Sequence, residues 1–236
     1  MKFAIALFMI SWISPQADIY HSKHFTIIFT KIDDNHIRAI ADSLESGYTR
    51  ITTDLQSQEM RVVTVHLYCD TLNYREGVKP WAPNLPFWST GSTLGDSAIH
   101  MISPDAPGQD YKEMIKSIIH EFAHCVSRHI NSKIANNPRW LWEVIAIYES
   151  GQLYDPHHIS YLVSQEPPRL KQLNDLQDTS IYDVGYLIGQ YLVENKGKAI
   201  LNALIKNNGN IKQLLNIDDE EFTKQWFAFV KQRYGI

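Results

Sequence analysis

A cluster of polar side chains interrupts an otherwise apolar helical pattern between residues 110 and 130. The cluster is a His-Glu-x-x-His motif formed by His120, Glu121 and His124. Apolar residues surround it at helical spacing: Met114, Ile115, Ile118, Ile119, Phe122, Ala123 and Val126. They cover most sides of the segment, so the pattern predicts a buried helix. Because an apolar interior penalises unpaired polar groups by several kcal/mol, the three side chains need partners, and one metal ion would satisfy them together.

The spacing of the motif suits metal-assisted chemistry. Four residues of α-helix turn by about 400° and rise by about 6 Å, so His120 and His124 project from one face and can bind one Zn²⁺. Glu121 follows the first ligand directly. From that position its carboxylate can accept a proton from water beside the metal. We therefore predict a metal pair formed by the two histidines and a general base formed by Glu121.

A catalytic zinc also needs a third protein ligand and an open coordination position. Glu143 is the first candidate, because 18 residues separate it from His124 and the helix predicted over 139–150 is otherwise mostly apolar. Glu149 is the competing candidate. Six residues of helix turn by about 600°, so Glu143 and Glu149 face different ways and one of them can serve.

Composition and charge exclude several classes of protein. The 236 residues are 44% hydrophobic and 20% charged, with 11 Gly and 10 Pro, which excludes a disordered or low-complexity chain. The formal charge of −4 argues against a nucleic-acid or polybasic membrane surface. Two cysteines, Cys69 and Cys125, are too few for a disulfide scaffold, and we predict that both are buried and unpaired.

The first 17 residues are typical of a secretory signal peptide. Lys2 precedes an apolar run over residues 3–13, which is about half the ~20 residues that a membrane-spanning helix needs. Cleavage after Ala17 would leave one exported domain, 18–236, without a stable membrane anchor. The alternative is a buried N-terminal strand or helix of a cytosolic protein, because Pro15 fits the cleavage rule poorly.

The order of predicted elements indicates the fold class. Strands are predicted over 25–30, 61–68 and 98–102, with a helix over 35–55 and a long irregular stretch over 70–96. Later segments are helical: 110–130, 139–150, 159–164, 182–195, 198–206, 211–215 and 220–233. Strands first and helices later predict an α+β fold, in which a small mixed sheet and the His-Glu-x-x-His helix precede a helical C-terminal half.

A second motif extends the first. Residues 138–148 have the form Pro-x-Trp-Leu-x-Glu-x-x-Ala-x-Tyr, and Glu143 is the glutamate. With the His-Glu-x-x-His helix, this segment resembles the gluzincin zinc metallopeptidases, and more closely the peptidase MA-like family. Val144 departs from that family, which has glycine there. The resemblance extends to the segment with Tyr182, Gly185, Tyr191, Leu192 and Gly197.

The resemblance implies a zincin-like fold with zinc as the cofactor and Glu143 as the third ligand. It implies a peptide or protein substrate, paired as an extended chain on residues 98–102 as the edge strand. Tyr182 is the implied donor to the tetrahedral oxyanion, with Tyr186 as the second choice.

The function predicted from these residues is hydrolysis of peptide bonds by water that zinc activates and Glu121 deprotonates. Three alternatives stay open. One is a zinc hydrolase that acts on a non-peptide amide. Another is a catalytically silent or narrow-specificity zinc-binding protein of the same fold with a binding or scaffolding role. The last is a cytosolic helical protein without metal. The sequence does not specify the oligomeric state.

Overall fold

The N-terminal half of the chain forms one five-stranded sheet with the order β1-β2-β3-β5-β4. The structure is a computed structural model that describes residues 17–236, so the signal peptide predicted over 1–17 lies almost entirely outside it. The strands are β1 Asp18–His21, β2 Phe25–Phe29, β3 Val63–Tyr68, β4 Gly91–Leu94 and β5 Ala98–Ile102. The central strands β2, β3 and β5 are parallel, whereas β1 and β4 run antiparallel on the two edges.

The prediction that residues 98–102 form the edge strand is wrong. Strand β4 pairs with β5 along its whole length, from Gly91 opposite Met101 to Leu94 opposite Ala98. The free edge therefore belongs to β4. Its sequence, Gly-Ser-Thr-Leu, has neither the apolar alternation nor the aromatic and β-branched density that marks a strand.

Ten helices complete the fold. They are α1 Ile37–Asp54, α2 Thr71–Val78, α3 Tyr111–Ile130, α4 Arg139–Ser150, α5 Ser160–Val163, α6 Leu170–Leu173, α7 Ser180–Lys196, α8 Ala199–Lys206, α9 Ile211–Leu215 and α10 Asp219–Tyr234. The predicted α+β class is confirmed, with strands in the first half and helices in the second. Helix α2 lies in the stretch expected to be irregular, where Asp70 caps it by accepting a hydrogen bond from the amide of Asn73.

Helix α3 is the centre of the packing. It contacts α1, β4, β5, α4 and α8, and it is buried over most of its length. Asp110 caps it by accepting hydrogen bonds from the amides of Lys112 and Glu113, as the sequence predicts for this start. Helix α1 approaches closely at Gly47, where a Cβ would lie 2.7 Å from the Ile119 side chain.

Helix α4 packs between α3 and α7. It is buried on nearly every side, and Gly151 ends it in a left-handed conformation with φ 70°. Glycine adopts that conformation without a steric penalty, which explains why the helix stops where the sequence predicts. Among residues 17–236, no helix has the length and hydropathy needed to cross a membrane.

Candidate metal centre

Helices α3 and α4 bring together the three predicted metal ligands. The Nε2 atom of His120 lies 3.4 Å from Oε2 of Glu143, and the Nε2 atom of His124 lies 4.0 Å from the same oxygen. The potential ligand atoms of these residues all lie within 4.8 Å of one another. All three side chains are buried. The two predicted helices therefore place the two histidines and the glutamate around one point.

The valine in place of glycine does not keep α4 away from α3. Val144 is fully buried next to Glu143, and the ligand atoms still converge. The competing ligand Glu149 lies elsewhere. Its carboxylate oxygen Oε2 pairs with a guanidinium nitrogen of Arg50 at 2.6 Å, so this buried glutamate already has a cationic partner. The structure thus separates two glutamates that the sequence left as alternatives.

One neighbour of the centre was not predicted. The Oε1 atom of Gln152 lies 2.9 Å from Nδ1 of His120. With the Gln152 oxygen as acceptor, the proton of His120 stays on Nδ1, and Nε2 presents its lone pair toward Glu143. Because Gln152 follows the turn at Gly151 and belongs to no motif, its role depends on how the turn folds back onto α3.

The second histidine is held by stacking. The rings of His124 and Trp142 lie parallel, at an interplanar angle of 4° and a centroid distance of 3.9 Å. Its Nδ1 is buried without a hydrogen-bond partner in the described part of the chain. Burial lowers the pKa of His124 well below its ordinary value, so this imidazole is neutral and can offer a lone pair.

The donor set fits a divalent cation. The Oε2 atom of Glu143 is buried and accepts no hydrogen bond from residues 17–236. A buried carboxylate oxygen without a partner is costly, and a cation beside two imidazole nitrogens would compensate it. Two histidines and one carboxylate suit zinc and also other first-row divalent ions.

Without a metal, the carboxylate interacts with the first histidine. Burial alone would lower the pKa of His120, but the hydrogen bond and the negative charge of Glu143 outweigh burial and raise it. The His120 imidazole therefore acts as a cation beside Glu143. A metal ion that binds these two side chains must displace this proton, so binding releases it.

Glu121 lies in the same place but outside the ligand group. It lines the cleft with the three ligands, and β4 packs directly against it. A Cβ on Gly91 would lie 2.8 Å from Oε1 and 2.9 Å from Cγ of Glu121, so the close approach of the edge strand requires glycine. Burial raises the pKa of Glu121 to about 7, which is typical of a carboxyl group that exchanges protons near neutral pH.

The centre opens into a cleft of about 570 Å³. Strand β4 and the loop before it form one wall, with Trp81 and Trp88, and residues 176, 177 and 182 lie on another. The long stretch after β3, which the sequence left undecided between a cleft wall and a core cover, therefore lines the cleft. Trp88 also contacts the opposite wall, edge to face with Tyr182 at a centroid distance of 5.5 Å.

Of the two predicted oxyanion donors, the structure places Tyr182 in the cleft. Burial raises the pKa of Tyr182, so its hydroxyl keeps its proton and can donate it in a hydrogen bond. The Arg139 guanidinium carbon lies 5.7 Å from the centre of the tyrosine ring. Tyr186 instead packs against Tyr148 at a ring distance of 5.4 Å and does not line the cleft.

The prediction of unpaired cysteines is confirmed, since Cys69 and Cys125 are both free thiols. Cys125 is buried as expected. Cys69 is partly exposed, so the prediction that both are buried is wrong for this residue, which lies at the end of β3 rather than inside it.

Comparisons with known proteins identify no family. No protein-family model matches the sequence, and no curated protein matches it either.

Proposed function

We propose that this protein is a zinc-dependent metallopeptidase of the gluzincin type, with a zincin-like fold and similarity to the peptidase MA-like family. The observation that carries the proposal is the buried Oε2 atom of Glu143, which has no hydrogen-bond donor and faces two imidazole nitrogens. A free carboxylate, Glu121, lies beside this group in an open cleft. A structural zinc site would be closed by four protein ligands, whereas this one has three and a base.

In this proposal, His120, His124 and Glu143 hold the zinc ion. When bound, zinc supplies a Lewis acid that polarises water and the peptide carbonyl and lowers the pKa of water to about 7. Glu121 accepts a proton from the attacking water and passes it to the leaving amine. Its raised pKa suits both steps, because the group must take up the proton and release it within one cycle.

The free edge of β4 is the proposed binding site for the substrate. Strand β4 is the last strand of the sheet, and its residues Ser92 and Thr93 line the cleft next to Glu121. An extended peptide can add to such an edge by backbone hydrogen bonds. This replaces the role that the resemblance assigned to residues 98–102. The exported location of the domain 18–236 remains part of the proposal and rests on the first 17 residues of the sequence.

Metal removal tests the proposed reaction. We expect the protein to cleave a quenched fluorescent random-peptide library and to lose more than ~100-fold of its rate when 1,10-phenanthroline removes the metal, because no residue replaces the Lewis acid. Added zinc should restore the rate. The control is 1,7-phenanthroline, which does not chelate. Full activity in protein shown by mass spectrometry to be metal-free would contradict the proposal, and zinc binding without cleavage would favour a binding or scaffolding role.

Tyr182 supplies a second test. Replacing Tyr182 with phenylalanine removes one hydrogen-bond donor from the cleft and leaves the ring that packs against Trp88. We expect kcat to fall by about 10²- to 10³-fold with a small change in KM, as for other oxyanion donors. Tyr186→Phe is the matched control, since Tyr186 lies outside the cleft. Equal kcat values for the two variants would remove Tyr182 from the mechanism.

A further inference from the structure

One charged side chain in the cleft has no part in the proposed chemistry. Among the described residues that line the cleft, the charged side chains other than histidine are Glu121, Glu143, Arg128 and Arg139. Glu143 is a ligand and Glu121 is the base. Arg139 is 4% exposed and donates hydrogen bonds to the backbone carbonyls of residues 173, 175 and 178, so it holds a loop. Arg128 is the charge that remains.

Arg128 has no internal counter-ion. Among residues 17–236, the arginines that form ion pairs are Arg50, Arg61 and Arg233. Residues 1–16 contain neither Asp nor Glu, so they hold no side-chain carboxylate for it either. The guanidinium of Arg128 is half-buried at the cleft and makes no side-chain hydrogen bond within residues 17–236. A planar group with five donors in this position is suited to bind an external carboxylate.

The position of Arg128 relative to the metal ligands follows from α3. It comes four residues after His124, which places it one turn further along the helix, about 6 Å along the axis. An extended chain advances about 3.3 Å per residue, so this separation corresponds to about two residues of a bound peptide. The guanidinium therefore lies within reach of a substrate group about two residues from the bond to be cleaved.

Strand β4 leads toward the same end of the cleft. Its first residue, Gly91, lies against Glu121. Its last residue, Leu94, is opposite Ala98, whose carbonyl oxygen is 4.0 Å from Sγ of Cys125. Strand and helix thus run in the same direction along the cleft. A peptide paired with β4 would extend from Glu121 toward the end of the cleft where Arg128 lies.

The electrostatics of the cleft agree with an anionic ligand. Two arginines and two glutamates line it, so a divalent cation at the three ligands would make it positive overall. The whole chain has a formal charge of −4, so this positive potential is local to the cleft.

We propose that Arg128 determines substrate specificity by binding a carboxylate of the peptide about two residues from the scissile bond. This inference rests on the proposed peptidase function and names its substrate class. The carboxylate has two possible sources, a side chain of Asp or Glu within the peptide and the C-terminal carboxylate of a short peptide. The first source makes the protein an endopeptidase that selects acidic sequences, and the second makes it a carboxyl-end exopeptidase.

Four synthetic peptide libraries distinguish these sources. Each is a mixed-sequence decapeptide library with Glu or Gln at one fixed position scanned along the chain, and each is made with a free C-terminal carboxylate or an amide. Binding is measured by calorimetry on zinc-loaded Glu121→Gln protein, which should not turn the peptides over. We expect the library that carries the selected carboxylate to bind about 10- to 100-fold more tightly than the library with neither group, as for a charged hydrogen bond.

Adding Arg128→Gln to this protein should abolish the preference. Adding Arg38→Gln should leave it unchanged, because Arg38 is an exposed arginine of α1 outside the cleft and removes the same charge. Arg128→Glu should reverse the preference toward peptides that carry lysine at the same position. Circular dichroism of each variant verifies the fold.

Two results separate this inference from the proposed function. If wild-type protein cleaves all four libraries equally, or if Arg128→Gln and Arg38→Gln behave alike, the inference is overturned and the peptidase function stands. If Arg128 governs carboxylate binding but wild-type protein cleaves none of the libraries, the peptidase function fails and the inference stands. Absence of any binding overturns the inference.

Discussion

Replacing Glu143 with alanine is expected to remove zinc from the protein, whereas replacing Glu149 with glutamine is expected to leave the zinc content unchanged. Both glutamates are buried on α4. The Oε2 atom of Glu143 lies 3.4 and 4.0 Å from the Nε2 atoms of the two histidines, whereas the carboxylate of Glu149 pairs with Arg50. The variants therefore test which of two similar side chains completes the centre.

The expected effect of Glu143→Ala is large. Loss of a residue that only orients a ligand weakens metal binding by about 10- to 100-fold, so loss of a ligand should exceed about 100-fold. Competition with a chromophoric chelator gives the affinity, and mass spectrometry gives the zinc content of the purified protein. Equal zinc content in Glu143→Ala and wild type would exclude Glu143 as a ligand. Loss of zinc in Glu149→Gln alone would transfer that role to Glu149.

Thermal unfolding supplies an independent readout of the same prediction. A ligand present at 1,000 times its Kd stabilises the folded state by about 4 kcal/mol. Zinc should therefore raise the melting temperature of wild type and of Glu149→Gln, and it should not raise that of Glu143→Ala. Glu149→Gln should itself melt below wild type without metal, because it leaves Arg50 without its ion-pair partner.

The metal ligands could be predicted from sequence because their geometry is local to two helices. The spacing of His120 and His124 fixes their relative direction once α3 is a helix, and the apolar residues around them make that helix buried. Glu143 then needed one further fact, that α4 packs on α3. Helical spacing and the polar residue in an apolar segment indicated this packing, and the structure confirms it.

The choice between Glu143 and Glu149 could not be made from spacing alone. Each is a carboxylate on the same mostly apolar helix, and which one faces α3 depends on the rotation of α4 about its own axis. Arg50 decides the matter for Glu149, because its guanidinium comes from α1, far away in sequence. A contact over that distance leaves no local signal in the chain.

The edge strand was misplaced for a related reason. Strand β4 has four residues and gains its structure from pairing with β5, whose strongly apolar sequence marked it as a strand. Nothing in Gly-Ser-Thr-Leu shows that it covers the edge of β5. Gly91 gains its meaning from contact with Glu121 across the cleft, which is a tertiary fact. Gln152 and Arg128 escaped prediction in the same way.

The second large effect concerns Glu121. Glu121→Gln keeps the size and shape of the side chain and removes its ability to take up a proton. The residue is not one of the three ligands and packs against Gly91, so zinc should still bind at about one ion per chain. Because burial raises the pKa of Glu121 to about 7, an uncharged amide at this position costs no more than the carboxylate, and the melting temperature should not fall.

Under these conditions we expect the rate of peptide cleavage to fall by about 10²- to 10⁴-fold, the range that general acid-base groups contribute. KM should change little, since the amide does not remove a contact to the substrate that the carboxylate alone could make. Glu149→Gln is again the control, because it makes the same chemical change at a buried position outside the cleft. A zinc-loaded, folded Glu121→Gln protein that cleaves at the wild-type rate would show that another group moves the proton. Since Glu121 and Glu143 are the carboxylates that line the described cleft, and Glu143 is assigned to the metal, that result would also remove the reason for placing a peptidase mechanism at this site.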